Sequence, residues 1–253
     1  MKRFGRLEFG DESLTQVPGS NGEQIRDAEF FYKRAMTAML AGDFESALRN
    51  YSKSVEQNIN FVDSWEGQIL MLIELGEYNE AVMWADKALI VFPGNAALFA
   101  AKAVACFRNA FFDKAIAFSD NAMTKENITP NVWLARAEIM VDKKAVIAEN
   151  CVEKALKIPG CDRGVVLLCA GRIFLRGKRY ITANQMLSEA ASLLPKSALA
   201  WFELGCVRHL GGCGDAQQAF EHCLTRRPNW KEAEKWLEKS GRIGFFGRLN
   251  IFR

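Results

Sequence analysis

Large apolar side chains recur along this chain at a fixed interval. Trp65, Phe99, Trp133, Leu167 and Trp201 stand 34 residues apart, and Phe31 continues the series upstream. Thirteen residues after each comes Phe44, Tyr78, Phe112, Val146 or Tyr180, with Gly214 in the sixth place. Small residues follow at Ala47, Ala81, Ala115, Ala148, Ala183 and Ala216, and again at Ser54, Ala88, Ala122, Ala155, Ala190 and Cys223. A period of this length marks a repeat architecture, in which each unit buries its apolar face only against its neighbours. Each unit reads as two antiparallel helices that cross closely at the small residues, with the large ones filling the space between units. The turns Ala41-Gly42-Asp43, Leu75-Gly76-Glu77 and Arg176-Gly177-Lys178 place a glycine at the end of the first helix. Pro93, Pro195 and Pro228 close three units, where proline cannot continue a helix. In units four and six the second-helix pattern arrives one residue early, which predicts a shortened turn.

Unit six carries Trp201, Leu204-Gly205, Ala216, Phe220, Cys223 in an alanine slot and Pro228. Unit two carries Trp65, Tyr78, Ala81, Ala88 and Pro93. This pattern resembles the tetratricopeptide repeat, and six units in register cover residues 28–230. The resemblance implies an all-α fold: a right-handed solenoid of about six helix-turn-helix repeats plus a C-terminal capping helix. It further implies a non-catalytic adaptor or assembly factor that binds a protein partner on the concave face.

By the same resemblance, the concave lining comes from set positions of each first helix. These include Tyr32, Met36 and Met39 in unit one, Glu66, Leu70 and Glu74 in unit two, and Val104, Phe107 and Arg108 in unit three. Leu134, Glu138 and Asp142 follow in unit four, Arg172, Leu175 and Arg176 in unit five, and Leu199, Phe202 and Cys206 in unit six. An error of one residue in register would make some of these core positions. Otherwise the lining suits an amphipathic helix or extended apolar segment, with methionine lending adaptability. Co-chaperones of the family grip a C-terminal carboxylate with Lys and Asn on adjacent units. Here Tyr32, Met36, Glu66 and Leu70 stand at the corresponding places, so that clamp is missing.

Outside the repeats, residues 1–27 form an N-terminal extension containing the loop Pro18-Gly19-Ser20-Asn21-Gly22. Residues 231–240 read as the capping helix, ended by Gly241, and residues 241–253 as a basic-aromatic tail. Phe4-Gly5-Arg6-Leu7 recurs as Phe246-Gly247-Arg248-Leu249. Either these apolar ends fold back on the solenoid, or Phe4, Arg6, Leu7, Phe246, Arg248 and Leu249 dock on a partner. Six stacked units would hold the two ends well apart.

Composition adds little. Hydrophobic residues make up 49% and charged residues 25%, ordinary for a globular protein, and no apolar run approaches a bilayer-spanning length. The first residues lack the apolar core of a secretory signal, and the seven cysteines are odd in number and scattered. Both predict a cytoplasmic, reducing compartment with free thiols. A net charge of +3 with no basic stripe argues against nucleic acid. The tail's three arginines and missing acids leave association with a membrane complex as the alternative function.

The chain shows no phosphate-cradling glycine loop and no nucleophile with an evident base, so no catalysis, cofactor or small-molecule substrate is expected. Cys206, His209, Cys213, His222 and Cys223 are potential zinc ligands within a short stretch. Their irregular spacing, without a Cys-x-x-Cys pair, reads instead as core cysteines and no metal.

Overall fold

The computed structural model describes residues 26–249, with side chains through residue 241. Those residues form thirteen α-helices and no strand. Unit one is α1 (Ala28–Leu40) with α2 (Phe44–Gln57), and unit two is α3 (Val62–Glu74) with α4 (Tyr78–Val91). Then come α5 (Ala96–Arg108) with α6 (Phe112–Met123), and α7 (Pro130–Met140) with α8 (Ala145–Leu156). Units five and six are α9 (Arg163–Arg176) with α10 (Tyr180–Leu193), and α11 (Ala198–Gly211) with α12 (Ala216–Arg226); α13 (Lys231–Leu249) follows. Each helix packs on its hairpin partner and on the next unit, giving an all-α repeat solenoid.

Local chemistry starts these helices where the sequence allows. Asp27, Asp43, Asn95, Asp162, Ser197 and Asp215 each accept a hydrogen bond from a first-turn amide, satisfying a donor with no partner inside the helix. The small slots Ala47, Ala81, Ala115, Ala148 and Ala183 are fully buried where the hairpin helices cross. Ala216 differs. It opens α12 and is only half-buried, while Ala219 and Phe220 take the buried places.

Three expectations change. The turns of units four and six are longer: residues 141–144 and 212–215 separate their helices, against 41–43, 75–77, 109–111 and 177–179 elsewhere. In unit four the second-helix pattern arrives early because α7 is short. In unit five the left-handed residue is Lys178 (φ 56°), not Gly177. Gly177 is needed for closeness, since a Cβ there would lie 2.8 Å from Val141 in the preceding turn. The last helix does not stop at Gly241 but continues to Leu249, so residues 241–249 extend the capping helix instead of forming a separate tail. Phe246, Arg248 and Leu249 lie in its final turns, and Phe4, Arg6 and Leu7 fall outside the described residues.

The 34-residue series is also unequal in depth. Trp65 is buried against Trp84, whereas Trp133 and Trp201 are half-buried, Trp133 lying under the ammonium of Lys154 at 4.4 Å. Trp133→Ala is therefore expected to cost about 1–2 kcal/mol, below the full penalty for emptying a core aromatic site. Urea denaturation of the variant and its parent measures the difference.

The units do not hold their ends apart. The turn between α1 and α2 abuts unit six. Ser197, while capping α11, donates from Oγ to the Leu40 carbonyl at 2.7 Å. Arg227 reaches the Ala41 carbonyl at 3.3 Å. Gly42, at φ +77°, lies so near Trp230 that a Cβ would come within 2.5 Å of the indole. The solenoid thus closes on itself in one short turn, with a seam between its first and last units.

Candidate functional site: the closed concave face

Closure turns the inner face of the solenoid into a small chamber walled by the first helices of units one to six. Met39, Leu70, Val104, Leu134, Leu168 and Leu199 supply its apolar surface. Among them run two sets of opposed charges. Arg172 bridges two acids, reaching Glu74 Oε2 through Nη2 at 2.7 Å and Glu203 Oε1 through Nε at 2.7 Å. Glu138 is shared by Arg108, through Nε, and by Arg176, whose Nη2 lies 3.3 Å away. Glu66 accepts from Asn131 Nδ2 at 2.9 Å, joining units two and four across the interior.

The electrostatics follow from this enclosure. Burial pushes up the Glu74 carboxyl, but Arg172, Arg176 and Arg108 outweigh it and hold the group at about 2. Glu66 has no cation. Burial raises its carboxyl to about 7, against the opposing hydrogen bond from Asn131 and aided by the nearby charge of Asp63. Burial also pushes the Cys169 thiol up to about 11, far from the range of a reactive thiolate. Arg108 Nη2 is buried without a hydrogen-bond partner.

Of the residues expected on the concave face, Met39, Glu66, Leu70, Glu74, Val104, Arg108, Leu134, Glu138, Arg172, Arg176 and Leu199 meet in the chamber, whereas Asp142 is exposed outside it. The others pack into its walls. Tyr32 lies edge-on to Tyr51 and against Phe61, at 5.8 and 5.1 Å between ring centroids, and the Met36 sulfur accepts from the Tyr51 hydroxyl at 3.0 Å. Phe107 packs on Phe112, Leu175 is half-buried between neighbouring cores, and Phe202 stacks on Trp230 at 4.5 Å. Asn131, Cys169 and Glu203 join the site without having been expected there. Glu203 sits just past Trp201 and meets Arg172 of the preceding unit, whereas Glu74, 98 positions from Arg172, reaches it only across the interior.

Room inside is limited to about 100 Å³. Drug-sized pockets run to several hundred Å³, so the closed chamber holds no helix. The candidate zinc ligands are dispersed. His209 meets the Ser240 hydroxyl at 3.0 Å, His222 lies against Trp201 with ring centroids 4.5 Å apart, and Cys223 is wholly buried. No group of three or more His, Cys, Asp or Glu among the described residues is placed to hold a metal ion. Among the same residues no helix is long and apolar enough to cross a membrane.

No protein-family model matches the chain. An uncharacterised protein of Methanocaldococcus jannaschii is 39% identical over 59 residues, which are 23% of this chain and 69% of that one. In structure the chain is similar to yeast Tom70, with a TM-score of 0.54 at 19% identity over 88% of this chain and 48% of that one. It is similar to the APC/C hetero-tetramer Cut9–Hcn1, at 0.53 and 17% over 85% of this chain and 43% of the other. A thermophilic tetratricopeptide-repeat protein of Thermus thermophilus gives 0.50 and 13%, over 71% of this chain and 98% of its own. The chain spans less than half the length of the first two structures. A 34-residue period and paired helices crossing at small residues, together with these likenesses, lead to one assignment: the chain has the fold of a tetratricopeptide-repeat protein.

Proposed function

We propose that this protein is a non-catalytic scaffold that binds another protein, taking an apolar segment of its partner into the concave face. The observation that carries this reading is the mixed lining: Met39, Leu70, Leu134, Leu168 and Leu199 interleaved with arginines, one of which, Arg108, keeps an unpartnered buried nitrogen. Apolar contacts supply affinity in such a groove, and the arginines fix orientation by engaging a carboxylate or carbonyl of the guest. Because the closed chamber is too small for a helix, entry requires the seam between units one and six to part. That seam consists of two hydrogen bonds to backbone carbonyls, Trp230 beside Gly42, and Leu40 and Phe44 against the core of the later units, so it is smaller than the interfaces between consecutive units. The terminal Phe-Gly-Arg-Leu segments would add a second, weaker contact, made effective by tethering. The Cut9–Hcn1 structure is itself a hetero-tetramer, in keeping with a repeat array that serves assembly.

The test is quantitative affinity capture from native lysate with the parent, Leu70→Glu and Ser197→Ala. Leu70 is half-buried in the chamber, so its glutamate variant should lose the partner by about tenfold or more. Ser197→Ala loosens the seam and should raise recovery of that same partner. Equal recovery by all three proteins, with thermal stability retained, would sink the reading.

A further inference from the structure

A second surface lies at the turns of the hairpins, where the second helices of units three, four and five begin. Phe112, Val146 and Ile181 occupy the first or second position of α6, α8 and α10 and are 53%, 69% and 77% exposed. Exposed cations stand between them: Lys114, Lys143, Lys144, Lys178 and Arg179. The acids of the same stretch are Asp113, Asp142 and Glu149, and Glu149 already accepts from the Thr182 hydroxyl at 3.5 Å. Units four and five are joined along this edge, because Gly177 rests on Val141 of the preceding turn and Thr182 reaches back to unit four.

Fold stability does not account for these choices. A helix start favours an acid or a capping side chain, since its free amides and dipole present positive charge. The equivalent positions of units one and six obey that rule, with Asp43 and Asp215 as caps. In unit two the position is the acid Glu77, which makes no cap hydrogen bond. In units three to five it is Phe111, Lys144 and Arg179, and none of the three helices has a side-chain cap. Three adjacent, uncapped helix starts therefore carry cations and bare apolar side chains together.

We propose that this edge docks on an anionic phospholipid surface. Positive charge interleaved with apolar tips matches a layer of phosphate-bearing headgroups over an acyl interior, where each cation near the surface adds attraction and each inserted side chain leaves water. An acidic peptide would answer the charge as well, but it would need walls to hold its side chains. Side chains that are half to three-quarters exposed stand on the tips of turns and offer no walls, and a lipid interface needs none. The free amides at the three helix starts then face headgroup phosphates.

Vesicle co-sedimentation of the full chain tests this, with phosphatidylcholine alone and with phosphatidylserine admixed. The parent should sediment with the serine-containing vesicles only, and added salt should release it. Lys143→Glu with Lys144→Glu, and separately Val146→Asp with Ile181→Asp, should each weaken binding at least about tenfold. Both pairs are surface changes, so an unchanged melting temperature shows that the fold survives. Arg242→Glu, in the C-terminal segment, should leave vesicle binding intact. The proposal fails if the parent ignores both vesicle types, if only the C-terminal variant loses binding, or if the edge variants abolish capture of a soluble polyglutamate peptide but not of vesicles.

Discussion

Replacing Arg172 with methionine should destabilise the protein by about 3–5 kcal/mol at neutral pH, the cost of leaving a buried charge without its partner. Methionine fills much of the same volume, so the loss is electrostatic. Glu74 and Glu203 would remain enclosed and without their shared cation. Removing the acids as well, in Arg172→Met with Glu74→Gln and Glu203→Gln, should restore much of the loss, because a neutral interior carries no such penalty. The pH dependence separates this from a packing defect. In the parent, Glu74 is held at about 2, below its unfolded value near 4.5. The stability it contributes is therefore present above about pH 4.5 and lost as pH falls toward 2, amounting to ~3 kcal/mol. Without Arg172 the carboxyl should instead titrate upward, so mild acid should narrow the gap between variant and parent. Denaturant titrations at neutral pH and near pH 4 measure that gap, and a gap independent of pH would show that the arginine acts by shape alone.

Glu66→Gln should have the opposite sign. The Glu66 carboxyl is raised to about 7, so the folded protein holds a proton that the unfolded chain releases near 4.5. Its favourable contribution is fully present below about pH 4.5 and is lost as pH rises through 7. Glutamine keeps the oxygen that accepts from Asn131 and cannot ionise. The variant should match the parent in mild acid and exceed it by up to ~3 kcal/mol in mild alkali. Parallel stability curves across that range would mean that Glu66 is ionised in the fold and paired by some other means.

The periodicity of Trp65, Phe99, Trp133, Leu167 and Trp201 made the helix pairs legible in sequence, because each pair is specified by residues less than 34 positions apart. The chamber was legible in half. Met39, Leu70, Arg108, Arg172 and Arg176 share repeat positions that face inward in any such solenoid. Their mutual contacts depend instead on how small rotations between units accumulate, and no local pattern encodes that sum. One clue was present in the chain. Glu74, Arg108 and Arg176 hold the same position of their units, and Glu138 and Arg172 stand one helical turn earlier. Opposite charges on equivalent inward sites suit a face that meets itself. In unit five the glycine of the turn, Gly177, serves close contact with Val141, and the left-handed backbone falls one residue later on Lys178, which no residue-type pattern marks.

The seam between units one and six has a consequence for how the protein is made. Its hydrogen bonds join residues 157 and 186 positions apart, whereas most helix contacts of the array lie within one unit or with the next. Closing so long a loop is favourable only after the intervening helices have formed and fixed the distance between its ends. The clasp is therefore the final step of folding and a gauge of every step before it. A small misalignment in any one hairpin is carried forward by each unit that follows, and at the far end Trp230 misses the niche beside Gly42. A chain that closes has, by closing, measured its own length.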